Sequence, residues 1–297
     1  MAFEMHYPSP RHTLTFIIII FIYTAKECIN MRILPALCFS ILSVFSISSV
    51  SAEETSVTFA GSTTVFPFME KLSPLLKKQG IIAKVQAGGS SAGFKAAKSG
   101  IANFGMMSRE LKKSEKKFVK KLVISRDWLV MVTHKDAPFD NITHEEVVDL
   151  YTGKTKELNG HKINAIAKEA GRGTKTVFDH YFHLGKKAGH PIAKDLVIIG
   201  PNGQAITTVA GDVHGLTMLS YSAVDAAIKQ GEPIKMLTLD GVAGTPENVS
   251  SGKYTLQRSL NLVYTPKNAA LADRIRKALS TDEARKVFTD GGVQPSL

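Results

Sequence analysis

The segment AGGSSAGFKAAKSG, Ala87–Gly100, sets two glycines and two serines directly before a run that reads as helix. Its polar side chains at the helix start are small and uncharged. The first N–H groups of a helix have no intrahelical partner and carry a partial positive charge, so such a junction suits an anion. Glycine lets the backbone come close to a ligand, and serine adds a hydroxyl without adding charge. Two other junctions share this character. One is AGSTTVFP, with Ser62, Thr63 and Thr64; the other is EAGRGTKT, with Arg172, Gly173 and Thr174. Each follows a strand-like run and precedes a helical one. A single Ser or Thr there reads as an ordinary N-cap. Three together read as a cradle of donors for a small oxyanion, because such loops gather at the carboxyl ends of strands in open α/β sheets.

The surrounding chain fits that architecture. The run SVTFA leads to a helical stretch over Thr64–Gln79, in which Pro74 is expected to kink or end the helix. AKVQA and NFGMM read as short strands, KKSEKKFVKKL as a helix, and WLVMVTH as an apolar strand. Thr143 and Glu146 form a capping box for HEEVVDLYTG, which Gly153 closes. KINAIA, GLTMLS and IKMLTL are further strands, with a helix over SAVDAAIKQG. An extended run, GKYTLQRSLNLVYTP, and two short helices complete the chain. This β-then-α alternation predicts α/β layers with largely parallel strands.

Composition bounds the function. The chain has 297 residues, with 37 Lys and Arg against 26 Asp and Glu. The positive field attracts anions of any size, while lysine doublets such as Lys112-Lys113 and Lys116-Lys117 read as a solvated face. The sequence from Met31 to Ala52 has the charged start, apolar stretch and small-residue site of a secretory signal peptide cut after Ala52. Residues 1–30 are read as an extension upstream of the true start, the rival reading being an uncleaved anchor. Both cysteines, Cys28 and Cys38, precede the cleavage site, so the mature chain is expected without disulfides. The periplasm is the expected compartment. No nucleic-acid motif is present. GRGTKT fails as a P-loop, since Thr174 separates Gly173 from Lys175. Asp179, His180 and His183 read as an exposed helix face rather than a metal site. No cofactor, metal or catalytic residue is expected.

In order along the chain, GSTTV, GGSSAG, GMMSRE, EAGRGT and SGKYTLQRSL resemble the periplasmic phosphate-binding proteins of ABC transporters. The resemblance runs from about Val57 to the C-terminus. It implies a two-domain type II periplasmic-binding-protein fold with two crossing strands and a ligand cleft between the domains. The expected boundaries are residues 53–134 plus 256–297 for the first domain and 135–255 for the second. It implies capture of inorganic phosphate for a membrane permease, by a monomer. Carried over by motif, the contacts are Thr63, Thr64, Ser90, Ser91, Ser108, Arg109, Gly173 and Thr174.

This chain departs from that pattern in two places. The family usually has Asp-Ile-Gly where this chain has Asn103-Phe104-Gly105, and the other departure is in one loop. The family's third motif has Arg, two residues, then Gly-Ser-Gly-Thr; here Lys168 holds the Arg position and Arg172 the Ser position. Arg172 therefore joins the candidate contacts. Phosphate at neutral pH still carries a proton and sulfate carries none, so one acceptor would favour phosphate. Asp127, before Trp128, is the candidate acceptor, with Glu110 behind it; the alternative is an ion pair from Asp127 to Arg126 or Arg109. Two readings stay open beside phosphate transport: another oxyanion such as sulfate, and a phosphate-dependent sensor or envelope module without transport. A secreted phosphatase would need a metal or nucleophile cluster.

Overall fold

The computed structural model describes residues 54–297. The expected signal peptide, its expected cleavage site and the segment read as an upstream extension lie outside the described residues. Ten strands form one continuous sheet. They are β1 (Thr55–Gly61), β2 (Ile81–Ala87), β3 (Phe104–Met107), β4 (Lys120–His134), β5 (Asn164–Lys168), β6 (Val197–Ile199), β7 (Gly215–Ser220), β8 (Ile234–Met236), β9 (Gln257–Tyr264) and β10 (Gln294–Pro295). The path is β2-β1-β3-β9-β4-β7-β5-β6, with β8 and β10 also paired to β4. Pairs β1–β2, β1–β3, β7–β5 and β5–β6 are parallel, as βαβ connections require. The antiparallel pairs all involve β4 or β9.

Those two strands cross between lobes, each of which has its own apolar core. Val57, Phe59, Phe104, Leu122, Leu260 and Phe288 belong to one core. Trp128–Val132, Ile166, Phe178, Leu216 and Val224 belong to the other. The exchange happens inside β4. Its pairing with β9 ends at Trp128↔Gln257, and its pairing with β7 begins at Leu129↔Ser220. The first crossing therefore falls at Asp127–Trp128, earlier than the His134 boundary expected from sequence. The apolar run WLVMV belongs to the second core because β4 changes partner before it.

Helices cover the sheet: α1 (Phe66–Lys78), α2 (Ser90–Ser99), α3 (His144–Thr152), α4 (Gly173–Tyr181), α5 (Asn202–Ala210), α6 (Tyr221–Lys229), α7 (Ala269–Leu279) and α8 (Asp282–Asp290). Two local expectations are answered. Helix α1 does not end at the exposed Pro74 but continues to Lys78, which leaves the kink as the remaining form of that expectation. The segment 112–118 forms turns instead of a helix. Its lysines would stack like charges at i,i+4, as Lys112 on Lys116 and Lys113 on Lys117. Glu115 instead turns inward, accepting from the Lys112 N–H at 2.9 Å and from Arg109. The Thr143–Glu146 capping box is present, and Gly153 closes α3 in the left-handed conformation.

Helix α2 carries Gly93 at its centre, where glycine costs about 1 kcal/mol against alanine. A Cβ there would come to 2.6 Å from the Ala60 carbonyl and 2.7 Å from that of Met106. The glycine lets α2 lie directly on β1 and β3, which fixes where its N-terminus points.

Candidate oxyanion site between the lobes

Helix starts fall into two groups. Thr143 caps α3 and Thr281 caps α8 with their own hydroxyls, satisfying N–H groups locally. By contrast α1, α2, α4, α5, α6 and α7 begin without a side-chain cap. Four of these, α2, α4, α5 and α6, start at Ser90, Gly173, Asn202 and Tyr221, in loops of both lobes that meet around β4 and β9. The lobes touch here through backbone: the Ser91 N–H donates to the Gly171 carbonyl at 3.0 Å. Gly173 packs against Ser90 and Ser108, with no room for a Cβ between it and their hydroxyls. Ser90 and Ser108 in turn hold each other, the Ser108 N–H donating to Ser90 Oγ at 3.0 Å.

Arg258, on β9, organises the centre. Its Nη1 donates to Thr174 Oγ1 at 2.8 Å and its Nη2 to Thr64 Oγ1 at 3.1 Å, so one guanidinium bridges hydroxyls from opposite lobes. Asn202 Nδ2 donates to the same Thr64 oxygen at 3.2 Å. Arg258 Nε donates to Asp127 Oδ2 at 2.8 Å, and Nη2 lies 2.7 Å from that oxygen. Ser220 Oγ donates to Asp127 Oδ2 as well, at 2.8 Å. Burial lowers the Arg258 pKa and Asp127 opposes that shift. Asp127 Oδ1 is buried with no partner among the described residues. Asp127 is thus paired with neither Arg126 nor Arg109, the partners considered from sequence.

The two cations read from the loops are both engaged. Arg109 is fully buried and forms a bidentate pair with Glu115, at 2.8 and 2.9 Å. Burial alone would raise the Glu115 carboxyl, but the Arg109 and Lys112 hydrogen bonds outweigh it and hold it below the ordinary glutamate range. Arg109 retains a contact to Ser91 Oγ at 3.4 Å. Arg172 lies at the rim, its Nη2 3.2 Å from Glu169 Oε2 and its Nε buried without a partner. A Cβ on Gly89 would touch its Cδ at 3.2 Å. Glu110 lies outside the cradle, bound to Lys121 and Ser259.

Lys168 stands differently. It is 1 % exposed, and its Nζ donates to the Pro201 carbonyl at 3.0 Å. No carboxylate lies within ion-pair distance of it among the described residues. Burial, then the charges of Arg172 and Arg258, pull its ammonium down to about 7.

The structure therefore brings Thr64, Ser90, Ser91, Ser108, Asp127, Gly173 and Thr174 into one cradle. Thr63 is half-buried and faces a groove of about 510 Å³ beside Asn202 and Ser222. Sequence reasoning missed Arg258, Asn202, Ser220 and Glu115. Arg258 had a legible signal. Along β9 it shares the period-2 face of Leu260 and Leu262, and a cation in phase with buried leucines needs a partner.

Residues 48–281 match the PBP superfamily domain. The chain belongs to the PBP superfamily. Among its relatives, the phosphate-binding protein PstS of Borreliella burgdorferi is 26% identical over 224 residues, covering 71% of this chain and 79% of that protein. PstS of Staphylococcus epidermidis is 26% identical over 232 residues, covering 72% of this chain and 69% of that one. A solved structure from Clostridium perfringens, described as a phosphate ABC transporter substrate-binding protein with bound phosphate, superposes with a TM-score of 0.74 at 28% identity. It covers 82% of this chain and 100% of that one. An ABC-type phosphate transport receptor from Vibrio cholerae gives 0.66 at 25% identity, over 80% and 99%. The two-domain α/β fold of this PBP superfamily member is the one expected from its motifs.

Proposed function

We propose that this PBP superfamily protein is a substrate-binding protein that captures inorganic phosphate between its lobes, in the periplasm, and hands it to the membrane permease of an ABC transporter. The observation that carries the reading is the cleft itself. Uncapped helix starts, Ser and Thr hydroxyls and the otherwise uncompensated Lys168 converge where the two lobes meet. An oxyanion there accepts from these N–H and hydroxyl donors and balances the lysine charge. Thr64, Ser90, Ser91, Ser108, Gly173 and Thr174 form the inner contacts, with Thr63 at the mouth. Arg172 closes the rim. Arg109 acts through Ser91, which it helps to hold. The free Oδ1 of Asp127 supplies the acceptor for the phosphate proton.

Calorimetry on phosphate-stripped mature protein tests this. Phosphate should bind, and sulfate should bind at least about tenfold more weakly, a gap of about 1.4 kcal/mol. A protein that prefers sulfate, or gives no phosphate heat, defeats the assignment.

A further inference from the structure

Lys168 ends β5, a strand whose last four residues are all buried. An ammonium has three protons to donate, and here one bond is made, to the Pro201 carbonyl at 3.0 Å. The charges that act on it are those of Arg172, Arg258 and Glu169, while the acids of α3 and α4 nearest its strand, Asp149 and Asp179, are held by Lys154 and Lys175. From its own loop comes Glu169, which Arg172 holds at 3.2 Å. The start of α4 brings Arg172 itself, and β9 brings Arg258, which Asp127 of β4 holds at 2.7 Å. Helix α5 and strands β6 and β7 contribute no titratable side chain. Glu169 and Asp127 are thus each taken by an arginine, and the lysine faces two cations with no carboxylate of its own within ion-pair distance.

A buried ammonium in that position is costly, and a lysine can escape the cost by losing its proton, which an arginine cannot. An entering oxyanion reverses the balance by supplying the missing negative charge. We propose that a proton travels with the anion: Lys168 takes one up from solution as an oxyanion enters the cleft and gives it back as the anion leaves. This rests on the capture reading above. Its consequence is that the same donors hold phosphate more weakly as the medium becomes alkaline. The buried geometry, without a carboxylate partner, agrees with the low pKa of the side chain, about 7.

The test is calorimetry with inorganic phosphate near about pH 8.5, in two buffers of different ionisation heat, on the mature protein and on Lys168→Arg. At that pH phosphate is already largely the hydrogen-phosphate dianion. Any proton uptake due to phosphate itself is shared by both proteins and cancels in the comparison. The native protein should take up close to one proton more per anion than the variant. Its affinity should also fall up to about tenfold per pH unit more steeply than that of Lys168→Arg. Equal proton counts with clear phosphate heat overturn this proposal alone. Absence of phosphate heat in the native protein overturns the capture reading and this one with it. Should Lys168→Arg not fold, side-chain NMR of isotope-labelled lysines in the native protein decides. One amine should titrate near neutrality without phosphate and stay charged with it. A lysine spectrum in which none titrates below about pH 9 overturns the proposal.

Discussion

Replacing Asp127 by Asn separates the two jobs assigned to this side chain. Asp127 and Arg258 are 0 % and 1 % exposed at their side chains, and the closest approach is 2.7 Å. The amide keeps the shape of the carboxylate. Its oxygen can still accept from Arg258 Nε and from Ser220 Oγ, both now at 2.8 Å from Oδ2. What vanishes is the charge, leaving a buried guanidinium uncompensated. At an effective dielectric near 20, two charges this close attract by about 6 kcal/mol. The surviving hydrogen bonds retain part of that, so a loss of about 3–5 kcal/mol of folding stability is expected. Against a total of about 5–15 kcal/mol this is large. Urea unfolding in phosphate-free buffer measures it, followed through Trp128, the single tryptophan. That indole is buried, stacked on Tyr221 at 4.4 Å and bonded to the Gly244 carbonyl at 2.8 Å, so unfolding must change its emission. A loss below about 1 kcal/mol would refute the reasoning that this pair is a desolvated charge pair. The second job is read separately, from the phosphate-to-sulfate affinity ratio. The new NH₂ can donate to an unprotonated anion, so the ratio should fall. An unchanged ratio beside a large stability loss would leave Asp127 as a support for Arg258 and remove it from the anion.

Two further outcomes follow from the same cradle. In phosphate-free buffer the folded protein holds Lys168 near 7, whereas an unfolded lysine titrates near about 10.4. Between these values the unfolded chain binds more protons, so stability should rise with pH by up to about 1.4 kcal/mol per unit from this group. Urea midpoints at about pH 7 and 9 check this, and a slope unchanged in Lys168→Arg would count against it. Gly173→Ala puts a methyl where the Ser90 and Ser108 hydroxyls lie, so the lobes cannot close fully. Overpacking of about 1–3 kcal/mol on the closed form should weaken phosphate about 5- to 150-fold, and native affinity in calorimetry would show the lobes closing elsewhere.

The parts of the site that were legible in the sequence are those whose chemistry is local. Ser90, Ser91, Gly173 and Thr174 announce themselves because a helix start needs only its own neighbours to present N–H groups. The ordered motifs likewise placed the crossing strands, though the change of partner within β4 depends on ladders with β9 and β7 that no local pattern specifies. Charge pairing was the part that stayed hidden. Arg109 and Arg172 looked like the anion's cations because they sit in or beside the hydroxyl loops. Folding gives both to glutamates, Glu115 and Glu169. Glu115 was read into a lysine-rich helix face, yet its pairing with Arg109 turns that segment away from helix. Arg258 looked like one basic residue in a strand, and its acid, Asp127, lies 131 residues away in the chain. In the sequence Lys168 reads as a departure, a lysine at the family's arginine position. Its meaning depends on where every nearby carboxylate goes, and none of them comes to it. In the proposed reading, charge balance inside the cleft, and not proximity to a glycine-rich loop, picks out the side chain that meets the anion.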